Sequence, residues 1–525
     1  MTADLRLLPA GSDGLLVELA DLPAMLALLE ALRAAPPEGI TDIVPGARTL
    51  LLRFDPLALN PKALAAHLHT LDLTAACPPQ GQLHDIPVIY DGEDLAEVAA
   101  HLGCSVPELI ARHQAATFTV AFTGFAPGFA YMTSDDPALD VPRRKVPRKR
   151  IPAGSVALAG VFGGIYPSDS PGGWQLLGRT PVPMWDLMRA RPALLAPGDR
   201  VRFRDMGRDA VIAPAAIPTP RPQQGDGLRI LRADRPALLQ DAGRPGQAGQ
   251  GVSGSGALDR ASLHAANRCL GNPRDAAALE ITFGGLTLRA ERALTLALTG
   301  ADCPLRITGP RGDATPEHGR AFAMDAGDEL QIGPPRHGCY SYLGLRGGYL
   351  AAPVLGSAAR DTLARLGPEP LTTGDRLTPA NLPAGAVDPC PRAQPRLPQP
   401  GETVTLQVIL GPRADRFTTA ARQCFLDQTW QVTPEISRTG KRLSGAQPLR
   451  RRDNTELPSE GTVPGAIQIP HSGQPVLFLA DHPLTGGYPV IAVVARHHLD
   501  LAAQIPPGAQ IRFHPVPGPI KEAKP

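Results

Sequence analysis

Three glycine-containing phrases in the first half of the sequence place bare backbone beside aromatic, cationic and hydroxyl side chains. The first, FTGFAPGFAYM (122–132), surrounds Gly128 with Phe125, Phe129 and Tyr131. Glycine lets a ligand approach the backbone closely, and aromatic rings supply apolar walls. The phrase therefore predicts one wall of a small-molecule pocket; the alternative is a core strand that ends in a turn.

The second phrase, VPRRKVPRKRIPAGSV (141–156), carries six cationic side chains within eight residues. Such a run is equally compatible with a solvated surface. Arg148 and Arg150, however, precede Gly154 and Ser155, and the amides of a Gly-Ser turn beside guanidinium groups form an anion-binding corner. The phrase predicts that this corner holds a carboxylate or a phosphate.

The third phrase, IYPSDSPGGWQLLGRTP (165–181), combines hydroxyl and amide donors with an aromatic ring and an arginine. Ser170 and the amides of Gly172 and Gly173 are candidate donors, Trp174 a flat wall and Arg179 a bidentate clamp for an anion. The alternative is a hairpin with structural glycines.

Most familiar catalytic signatures are absent from the sequence. It has no G-x-x-x-x-G-K-[ST] loop, no H-E-x-x-H, no G-x-S-x-G and no biotin-type Met-Lys-Met. One G-x-G-x-x-G match, at Gly249, Gly251 and Gly254, follows a turn-like segment and not an apolar strand. A dinucleotide site is therefore not expected.

The charge balance excludes several classes of partner. Lysine and arginine number 52 and aspartate and glutamate 50. A balanced chain has no global field that would attract nucleic acid or an anionic membrane. No apolar run approaches the roughly 20 residues of a membrane span. We therefore expect no nucleic acid and no membrane partner, and small polar or anionic metabolites as ligands.

Cysteine usage and the first residues suggest a compartment. Seven cysteines are spread along the chain without a C-x-x-C pair, which argues against a disulfide framework or a zinc ribbon. The N-terminal residues show neither a basic n-region nor a cleavable apolar core. These features predict reduced thiols, no metal site and a cytoplasmic location.

The elements that must position these residues are short. Glycine (54 residues) and proline (59 residues) are in excess, which indicates short elements joined by tight turns. Residues 1–90 alternate strand-like and helix-like pieces and predict a small α/β domain, followed by two short helices about Gly103. From residue 117 onward, short runs of β-branched or aromatic residues are separated by glycine and proline, a pattern typical of β-barrels or sandwiches. The predicted fold class is therefore mainly β. We expect domains at 1–90, 91–213, 228–382 and 403–525, with a linker at 214–227 and a proline-rich connection at 383–402.

An internal sequence repeat supports this division. LAPGDRVRF (195–203) reappears as IPPGAQIRF (505–513), and each is preceded by a Gly-Gly-aromatic step. The two blocks are therefore predicted to share a fold.

The three phrases of the first half, in this order, resemble the B subunit of bacterial 5-oxoprolinase. That family is also described as allophanate hydrolase subunit 1 and as the inhibitor half of a sporulation-kinase regulatory pair. Phrases of the second half resemble the C subunit of the same enzyme, the carboxyltransferase-type or allophanate hydrolase subunit 2 family. They are QDAGRPGQAGQGVSGSGALD (240–259), AANRCLGNPRDAAALEITFGG (265–285), LTGAD (298–302), LGLRGGY (343–349) and PGAIQIPHSGQPVLFLADHPLTGGYP (464–489). The chain thus resembles a B–C fusion over nearly its whole length.

The resemblance implies a fold, a reaction and a partner. The fold is cyclophilin-like β-barrels, one in the first half and two in the second. The reaction is the ATP-dependent opening of 5-oxo-L-proline to L-glutamate, with Mg as the counter-ion of ATP and the separate 5-oxoprolinase A subunit as partner. Phosphorylating the carbonyl oxygen of a lactam makes it a better electrophile, and this needs cationic clamps and oriented amides.

By motif position the resemblance also implies roles for single residues. In the first half, Arg148, Ser155, Arg179 and the Gly172–Gly173 turn would hold an anion. In the second half, catalytic roles fall to Asp241, Arg244, Glu280 and Asp302, and binding roles to Gln240, Ser253, Asp259, Asn267, Arg346, Arg442, Gln468, Gly486 and Gly487. Asp241 and Arg244 are alternatively a structural ion pair, and Glu280 is either a buried carboxylate with a raised pKa or the partner of a nearby arginine.

Two other functions stay open at this point. The same barrels would serve as the carboxyltransferase of a biotin-dependent urea or amide carboxylase, with the biotinylated carrier supplied in trans. A non-enzymatic inhibitor of a histidine kinase is the third reading. Two positions depart from the family pattern: Leu484 stands where a second threonine is usual, and Ala358 where a hydroxyl or an arginine is usual.

Overall fold

The computed structural model describes residues 5–73, 81–207, 226–390, 393–453, 455 and 457–520. Within these ranges it contains 32 strands and seven α-helices, so the prediction of a mainly β protein is confirmed. The strands form four units that follow one another along the chain. None of the described helices is long and apolar enough to span a membrane.

The first unit is an antiparallel sheet covered by two helices. Its strands are β1 (Arg6–Pro9), β2 (Gly14–Glu18), β3 (Ile40–Pro45) and β4 (Thr49–Phe54), in the order β1-β2-β4-β3, and its helices are α1 (Leu22–Ala34) and α2 (Pro61–Thr70). Asp21 caps α1 by accepting a hydrogen bond from the Ala24 amide, and the apolar face of the helix, from Met25 to Leu32, is buried. This unit matches the predicted small α/β domain in its helices and in two of its strands.

The second unit is a nearly closed barrel. Its elements are β5 (Leu83–Val88), α3 (Leu95–His101), α4 (Val106–Ala115), β6 (Phe118–Thr123), β7 (Ala130–Ser134), β8 (Arg148–Ile151), β9 (Ser155–Ala159), β10 (Phe162–Ile165), β11 (Ser170–Gly172), β12 (Gln175–Arg179) and β13 (Arg200–Asp205). Seven strands form one sheet in the order β12-β9-β10-β7-β6-β13-β5, and an isolated bridge between Ile89 and Arg179 joins its two edges.

One strand differs from the predicted division of the chain. The segment Leu83–Val88 was expected within the domain 1–90, but it pairs in parallel with β13 and so completes the barrel. Local pattern identified the strand, whereas its pairing partner lies more than a hundred residues away. The helices α3 and α4 flank Gly103, whose φ is +66°, as expected for a tight turn.

The third unit consists of two five-stranded sheets that enclose one core. Its elements are β14 (Leu228–Ala233), β15 (Ala237–Gln240), α5 (Arg260–Leu270), β16 (Ala278–Thr282), β17 (Leu286–Ala290), β18 (Leu294–Gly300), β19 (Leu305–Thr308), β20 (Ala321–Met324), β21 (Glu329–Ile332), β22 (Tyr340–Leu345) and β23 (Arg376–Leu377). The orders are β19-β21-β17-β14-β23 and β15-β16-β22-β18-β20. Aliphatic side chains of both sheets form the core between them.

The fourth unit is a closed barrel. Its elements are β24 (Thr403–Leu410), α6 (Thr419–Asp427), β25 (Trp430–Ile436), β26 (Gly440–Ser444), β27 (Glu460–Gly461), β28 (Ala466–Gln468), β29 (Val476–Phe478), β30 (Thr485–Gly486), β31 (Val490–Val494), α7 (Leu499–Gln504) and β32 (Gln510–Pro515). The barrel order is β24-β31-β28-β29-β26-β25-β32.

The second and fourth units have the same strand order. Each contains nine strands, and numbering them within each unit gives identical neighbours around the barrel. In both, the last strand pairs in parallel with the first, and these last strands are the repeated segments of the sequence. The Gly-Gly steps also correspond, since β11 and β30 each form a separate two-stranded sheet with the strand three places earlier. The shared fold predicted from the sequence repeat is confirmed.

The two connections fare differently. The predicted linker at 214–227 lies outside the described residues, apart from residues 226 and 227. The described part of the predicted connection at 383–402 contains no helix and no strand.

Candidate functional site

A cleft of about 450 Å³ lies where loops of the second and third units meet. Three loops and a short segment line it: Phe125–Pro127, Pro167–Pro171, Thr362–Gly367, and Trp185 with Leu187. The volume falls within the range usual for small-molecule sites, and the lining mixes apolar rings with a few polar groups. Of the residues predicted from sequence, Phe125 and Ser170 line this cleft.

The first wall is the turn between β6 and β7. Phe125 has φ +65°, a left-handed conformation that is rare and strained for a bulky residue. The turn is fixed because the Ala126 amide donates to the Gly124 carbonyl, and the Gly128 amide donates to the Gln250 carbonyl of the third unit. The ring of Phe125 is 38% exposed and packs edge-on against Phe129. A strained aromatic residue at the rim of a cleft is typical of a ligand-contacting position.

Phe129, Tyr131 and Trp174, which were also predicted to wall the pocket, lie behind this turn. Their rings are at most 7% exposed and pack against one another and against Tyr166. They support the first wall and do not line the cleft. Clustering of aromatic residues in the sequence does not tell a pocket wall from the core layer beneath it.

The second wall is the segment that leads into β11. Asp169 accepts a hydrogen bond from the Ala153 amide at 3.0 Å and forms an ion pair with Arg150 at 2.6 Å. The amide hydrogen bond of Ala153 and the charge of Arg150 lower the pKa of Asp169. Among the described residues, the Ser170 hydroxyl has no hydrogen-bond partner. This wall therefore presents one ionised, paired carboxylate, and the hydroxyl of Ser170 is buried behind its surface.

The third wall is the loop 361–367. The buried carboxylate of Asp361 accepts the amides of Leu363 at 3.0 Å and Ala364 at 2.8 Å, together with the Ser253 hydroxyl at 3.1 Å. Burial, with the nearby charge of Asp481, raises the pKa of Asp361 to about 6. At the tip of the loop, Arg365 has φ +57° and an exposed side chain.

A buried ionic cluster holds this loop from behind. Asp481 accepts the amide and hydroxyl of Thr362 at 2.8 and 2.7 Å, the Ser255 hydroxyl at 2.6 Å, and the guanidinium of Arg438. Arg438 also contacts Glu280. Burial opposes ionisation of Asp481, but the charge and hydrogen bonds of Arg438 outweigh it and lower the pKa of that carboxyl. The cluster thus ties the fourth unit to the third wall of the cleft.

Glu280 is the partner of an arginine, one of the two alternatives left by the sequence. Besides Arg438, it accepts the Tyr342 hydroxyl at 2.7 Å and the Leu258 amide at 3.1 Å. Burial, followed by the charge of Glu280, raises the pKa of Tyr342 well above its ordinary value. These partners occupy the carboxylate, so Glu280 acts in the structure as a buried anchor.

Asp241 and Arg244 do not form the ion pair that the sequence allowed. Asp241 accepts the Ser357 hydroxyl at 2.6 Å and the Ala358 amide at 2.7 Å. Arg244 is buried and donates to the carbonyl oxygens of Val354, at 3.2 Å, and Ala359. Both residues therefore fasten the segment 354–359 to the loop that follows β15.

The other predicted residues of the second half are distributed over that half. Gln240 donates to the Arg360 carbonyl, and Asp259 caps α5 through the Ser262 amide. Asn267 donates to the Ala276 carbonyl, Arg346 to the Leu270 carbonyl and Gln468 to the Tyr488 carbonyl. Asp302 lies 3.5 Å from His337, and Arg442 pairs with exposed Glu435. The structure does not bring these side chains to the cleft.

The predicted anion-holding residues of the first half already have protein partners. Arg148 donates to Asp94 at 2.7 Å and to Glu93 at 3.0 Å, and the hydrogen bond to Asp94 raises its pKa. Arg179 pairs with Asp91 at 2.8 Å, and the Ser155 hydroxyl donates to the Pro152 carbonyl at 2.8 Å. The sequence shows both the cations and the acidic residues before α3, but not that Asp94 and Asp91 pair with two of those cations.

Several glycines of the predicted binding phrases serve close packing, either between units or within one unit. A Cβ on Gly124 would lie 2.3 Å from the Thr485 hydroxyl oxygen, and one on Gly251 would lie 2.7 Å from the Ala126 carbonyl oxygen. A Cβ on Gly172 would meet the Tyr166 hydroxyl at 2.5 Å, and one on Gly486 the Gln468 side chain at 2.8 Å. Bare backbone at these positions therefore faces other protein atoms. Of the remaining glycine predictions, Gly128 and Gly154 have φ of +75° and +80°. A Cβ on Gly487 would lie 3.1 Å from the Leu457 carbonyl oxygen, and one on Gly173 would lie 3.5 Å from the Arg144 carbonyl oxygen.

Sequence reasoning missed four residues that shape the cleft. Trp185 and Arg365 line it, and Asp361 and Asp481 fix its third wall. Asp481 lies inside the segment 464–489, which resembles the 5-oxoprolinase C subunit. Asp361 and Arg365 lie in the segment that contains the unusual Ala358. Their signal was present, but nothing local distinguished them from surface charges.

Two family models match the chain. The model for carboxyltransferase domain, subdomain C and D, matches residues 5–195, and the model for carboxyltransferase domain, subdomain A and B, matches residues 250–515. The first match therefore covers the first two units except for β13, and the second covers the last two units except for β14 and β15.

Relatives of known name match the same two halves. The second half is 37% identical over 289 residues to the 5-oxoprolinase C subunit of Escherichia coli K12, covering 54% of this chain and 90% of that one. The first half is 39% identical over 170 residues to the 5-oxoprolinase B subunit of Escherichia coli O157:H7, covering 31% of this chain and 78% of that one. Urea amidolyase of Saccharomyces cerevisiae is 31% identical over 300 residues, covering 53% of this chain but 16% of that enzyme. The crystal structure of TTHA0988 superposes with a TM-score of 0.83 at 35% identity, covering 95% of this chain and 99% of that one.

Proposed function

Since the chain belongs to the carboxyltransferase-domain family and joins relatives of the 5-oxoprolinase B and C subunits, we propose that it is the fused B and C component of an ATP-dependent 5-oxoprolinase. One observation carries the proposal: the two halves match the separate subunits over 78% and 90% of the subunits' own lengths. Near-complete subunits on one chain supply both parts in a fixed ratio. The relatives' names imply an A subunit as a further partner, which this chain would need for turnover.

The geometry supports a site shared by the two halves. The cleft takes two walls from the B-like half and one from the C-like half. Contacts such as Thr123 to the Ala248 carbonyl, at 3.1 Å, hold the halves in register beside it. A ligand bound in this cleft would touch both halves, so neither half alone would offer the complete site.

The proposed chemistry is phosphoryl activation of a lactam. Transfer of the γ-phosphoryl group of ATP to the carbonyl oxygen, with ADP leaving, makes the ring carbon more electrophilic. Water addition then breaks the carbon–nitrogen bond, and hydrolysis of the resulting acyl phosphate releases glutamate and phosphate. In the cleft, Arg365 and the Ser168 hydroxyl are polar groups able to hold a charged substrate.

The nucleotide and its magnesium ion would enter as substrate. Among the described residues, no group of three or more His, Cys, Asp or Glu side chains could hold a metal ion. Magnesium would therefore be held mainly by the phosphates of ATP, which is a common mode for this ion. The ATP requirement, the partner and the cytoplasmic location predicted from the sequence all belong to this proposal.

The test is reconstitution with a candidate A subunit. The purified chain, the A subunit and both together are incubated with 5-oxo-L-proline, with and without ATP, and glutamate is measured. We expect glutamate only from the mixture with ATP. No release from the complete mixture would refute the proposal.

A second candidate is the carboxyltransferase part of a urea or amide carboxylase. The 31% identity to yeast urea amidolyase over 300 residues favours it, although that stretch is 16% of that enzyme. Because the sequence has no biotin-type Met-Lys-Met, this function would need a biotinylated carrier on another chain. Carboxyl transfer from such a carrier to urea, without ATP-dependent glutamate release, would select this candidate.

A further inference from the structure

Arg365 is a cation of the cleft that makes no direct polar contact through its side chain. Within the described parts of the chain, its guanidinium forms no hydrogen bond and no ion pair. Arg148, Arg150 and Arg179, which the sequence favoured as anion holders, are all paired with carboxylates. An unpaired guanidinium beside apolar walls is a ready site for an anionic ligand.

The loop around Arg365 is fixed by its own hydrogen bonds. Asp361 accepts two amides of the loop, and the Asp361 amide donates to the Leu366 carbonyl at 2.9 Å. The Arg365 carbonyl accepts a hydrogen bond from Arg360 at 3.4 Å. These contacts hold Arg365 in a left-handed conformation that costs a non-glycine residue about 1 kcal/mol or more. The rigid turn fixes the backbone of Arg365, so only the side-chain torsions lose freedom on binding.

The charges around the cleft favour a monoanion. Asp169 is the only carboxylate among the residues that line it, and Arg150 already neutralises it at 2.6 Å. The charge of Arg365 also lowers the pKa of Asp169, as the smallest of the causes that do so. Because Arg150 already neutralises Asp169, the cleft keeps one uncompensated positive charge, that of Arg365. A polyanion such as a triphosphate would face Asp169 with only one guanidinium to hold it, whereas one carboxylate matches one guanidinium in charge and in bidentate geometry.

The rest of the lining suits the body of a small ring. Phe125, Trp185, Leu187, Leu363 and Leu366 supply apolar surface, and Ser168 supplies a hydroxyl. A five-membered lactam has apolar methylene groups and one amide edge that can hydrogen-bond to such a hydroxyl. The cleft is thus complementary to a small ring that carries a carboxylate.

We propose that Arg365 binds the carboxylate of the substrate and thereby selects carboxylate-bearing lactams over uncharged amides. The identity of the lactam as 5-oxo-L-proline rests on the proposed function above. The specificity itself rests on the unpaired guanidinium, the neutralised Asp169 and the apolar walls. Urea and simple lactams without a carboxylate would lose the contact with Arg365.

The test compares two ligands that differ by the carboxylate. Binding of 5-oxo-L-proline and of 2-pyrrolidinone, the same ring without the carboxylate, is measured calorimetrically on the full chain, alone and with the A subunit. We expect the wild type to bind 5-oxo-L-proline about 10- to 100-fold more tightly, the range of a charge-assisted contact. Arg365→Gln should abolish this preference, and Arg365→Lys should retain part of it.

The matched control is Arg229→Gln. Arg229 is an exposed arginine on β14, outside the cleft, and its side chain has no partner among the described residues. The substitution should leave both affinities unchanged, which shows that loss of one surface charge does not explain the effect of Arg365→Gln. Circular dichroism of each variant checks that it is folded.

Two results would overturn the inference: equal affinity of the wild type for the two ligands, including undetectable binding of both, or an unchanged preference in Arg365→Gln. ATP and inorganic phosphate are titrated in parallel. If Arg365→Gln weakens these and leaves 5-oxo-L-proline unaffected, the residue is a phosphate contact and the inference is wrong.

The inference and the proposed function fail in different ways. Absence of glutamate release with the A subunit, alongside a carboxylate preference that depends on Arg365, would refute the function and keep the inference. Normal turnover by Arg365→Gln with an unchanged KM for 5-oxo-L-proline would refute the inference and keep the function.

Discussion

Arg438 and Asp481 form a bidentate salt bridge in the interior, with 2.9 Å between Nε and Oδ2 and 3.0 Å between Nη2 and Oδ1. Their side chains are 4% and 0% exposed. Because Thr362 and Ser255 bind the same carboxylate, the pair joins the fourth unit to two loops of the third. The cleft therefore depends on an ionic contact that no solvent screens.

The first prediction concerns the stability that this pair provides. Arg438→Met leaves Asp481 and Glu280 as buried carboxylates without a cation, and breaking such a pair typically costs about 3–5 kcal/mol. We expect the free energy of unfolding in urea to fall by about this amount. Arg442→Met is the control, since Arg442 pairs with exposed Glu435 and should change stability by about 1 kcal/mol or less. Equal effects of the two substitutions would contradict the structure.

The second prediction concerns the close approach of Gly124 to Thr485. A Cβ at residue 124 would overlap the Thr485 hydroxyl, so Gly124→Ala should destabilise the contact between the halves. Thr485→Ala removes the obstructing atoms, and we expect the double variant to recover about 0.5–3 kcal/mol of the loss in a double-mutant cycle. Gly254→Ala, with no atom within 4 Å of its Cβ, should be nearly neutral. Additive effects of the two substitutions would exclude this close approach from any role in stability.

The third prediction is that the halves stay together without a continuous chain. Arg413 of the fourth unit pairs with Glu18 of the first at 2.9 Å and also contacts Glu460, and all three side chains are largely buried. Cutting at a protease site introduced within 214–227 should therefore give two fragments that co-elute in size-exclusion chromatography. Arg413→Met in the cut protein should promote their separation. If the two fragments of the cut protein separate without the Arg413 substitution, the contact between the halves is weak.

The fourth prediction concerns acid sensitivity. His113 is fully buried, and burial lowers its pKa to about 3. Between about pH 6.5 and pH 3 the unfolded chain takes up a proton at this residue that the folded chain does not, so acid favours unfolding. The contribution is at most about 1.4 kcal/mol per pH unit.

The measurement is the free energy of unfolding between pH 7 and pH 5. In His113→Gln the fall of stability with decreasing pH should be smaller than in the wild type, whatever the absolute stability of the variant. His69→Gln, on the exposed face of α2, should leave the slope as it is. Since burial also lowers the pKa of His482, to about 4, a part of the slope should persist in His113→Gln. An unchanged slope in that variant would contradict the prediction.

Local pattern predicted much of the fold. The strand Thr49–Phe54 and the helix Leu22–Ala34 follow from runs of apolar residues and from caps, which are interactions between near neighbours. The repeated closing segment predicted that two blocks share a fold, and their strand orders agree. The family was also recognisable from the sequence, because several long segments resemble those of its members.

The site was predicted less well. Phe125 and Ser170 line the cleft, but Arg148 and Arg179, which look equally suited in the sequence, are neutralised by Asp94 and Asp91. Whether a cation is free or paired depends on residues some 50 to 90 positions away. Arg365 has no such partner among the residues that the structure describes, and nothing in its sequence neighbours revealed that.

The amino-acid sequence by itself thus determined the fold class, the repeat, the family and the stock of glycines, arginines and serines. Those properties depend on local propensity and on motifs, and both are written along the chain. Only the tertiary structure decided which glycines face protein atoms and that, within the described residues, Arg365 stays unpaired while Arg148 and Arg179 do not. Distances and charge pairing depend on how the chain folds in three dimensions. The pairing of Leu83–Val88 with β13, or of Asp481 with Arg438, forms only when segments that are separated in the sequence pack together.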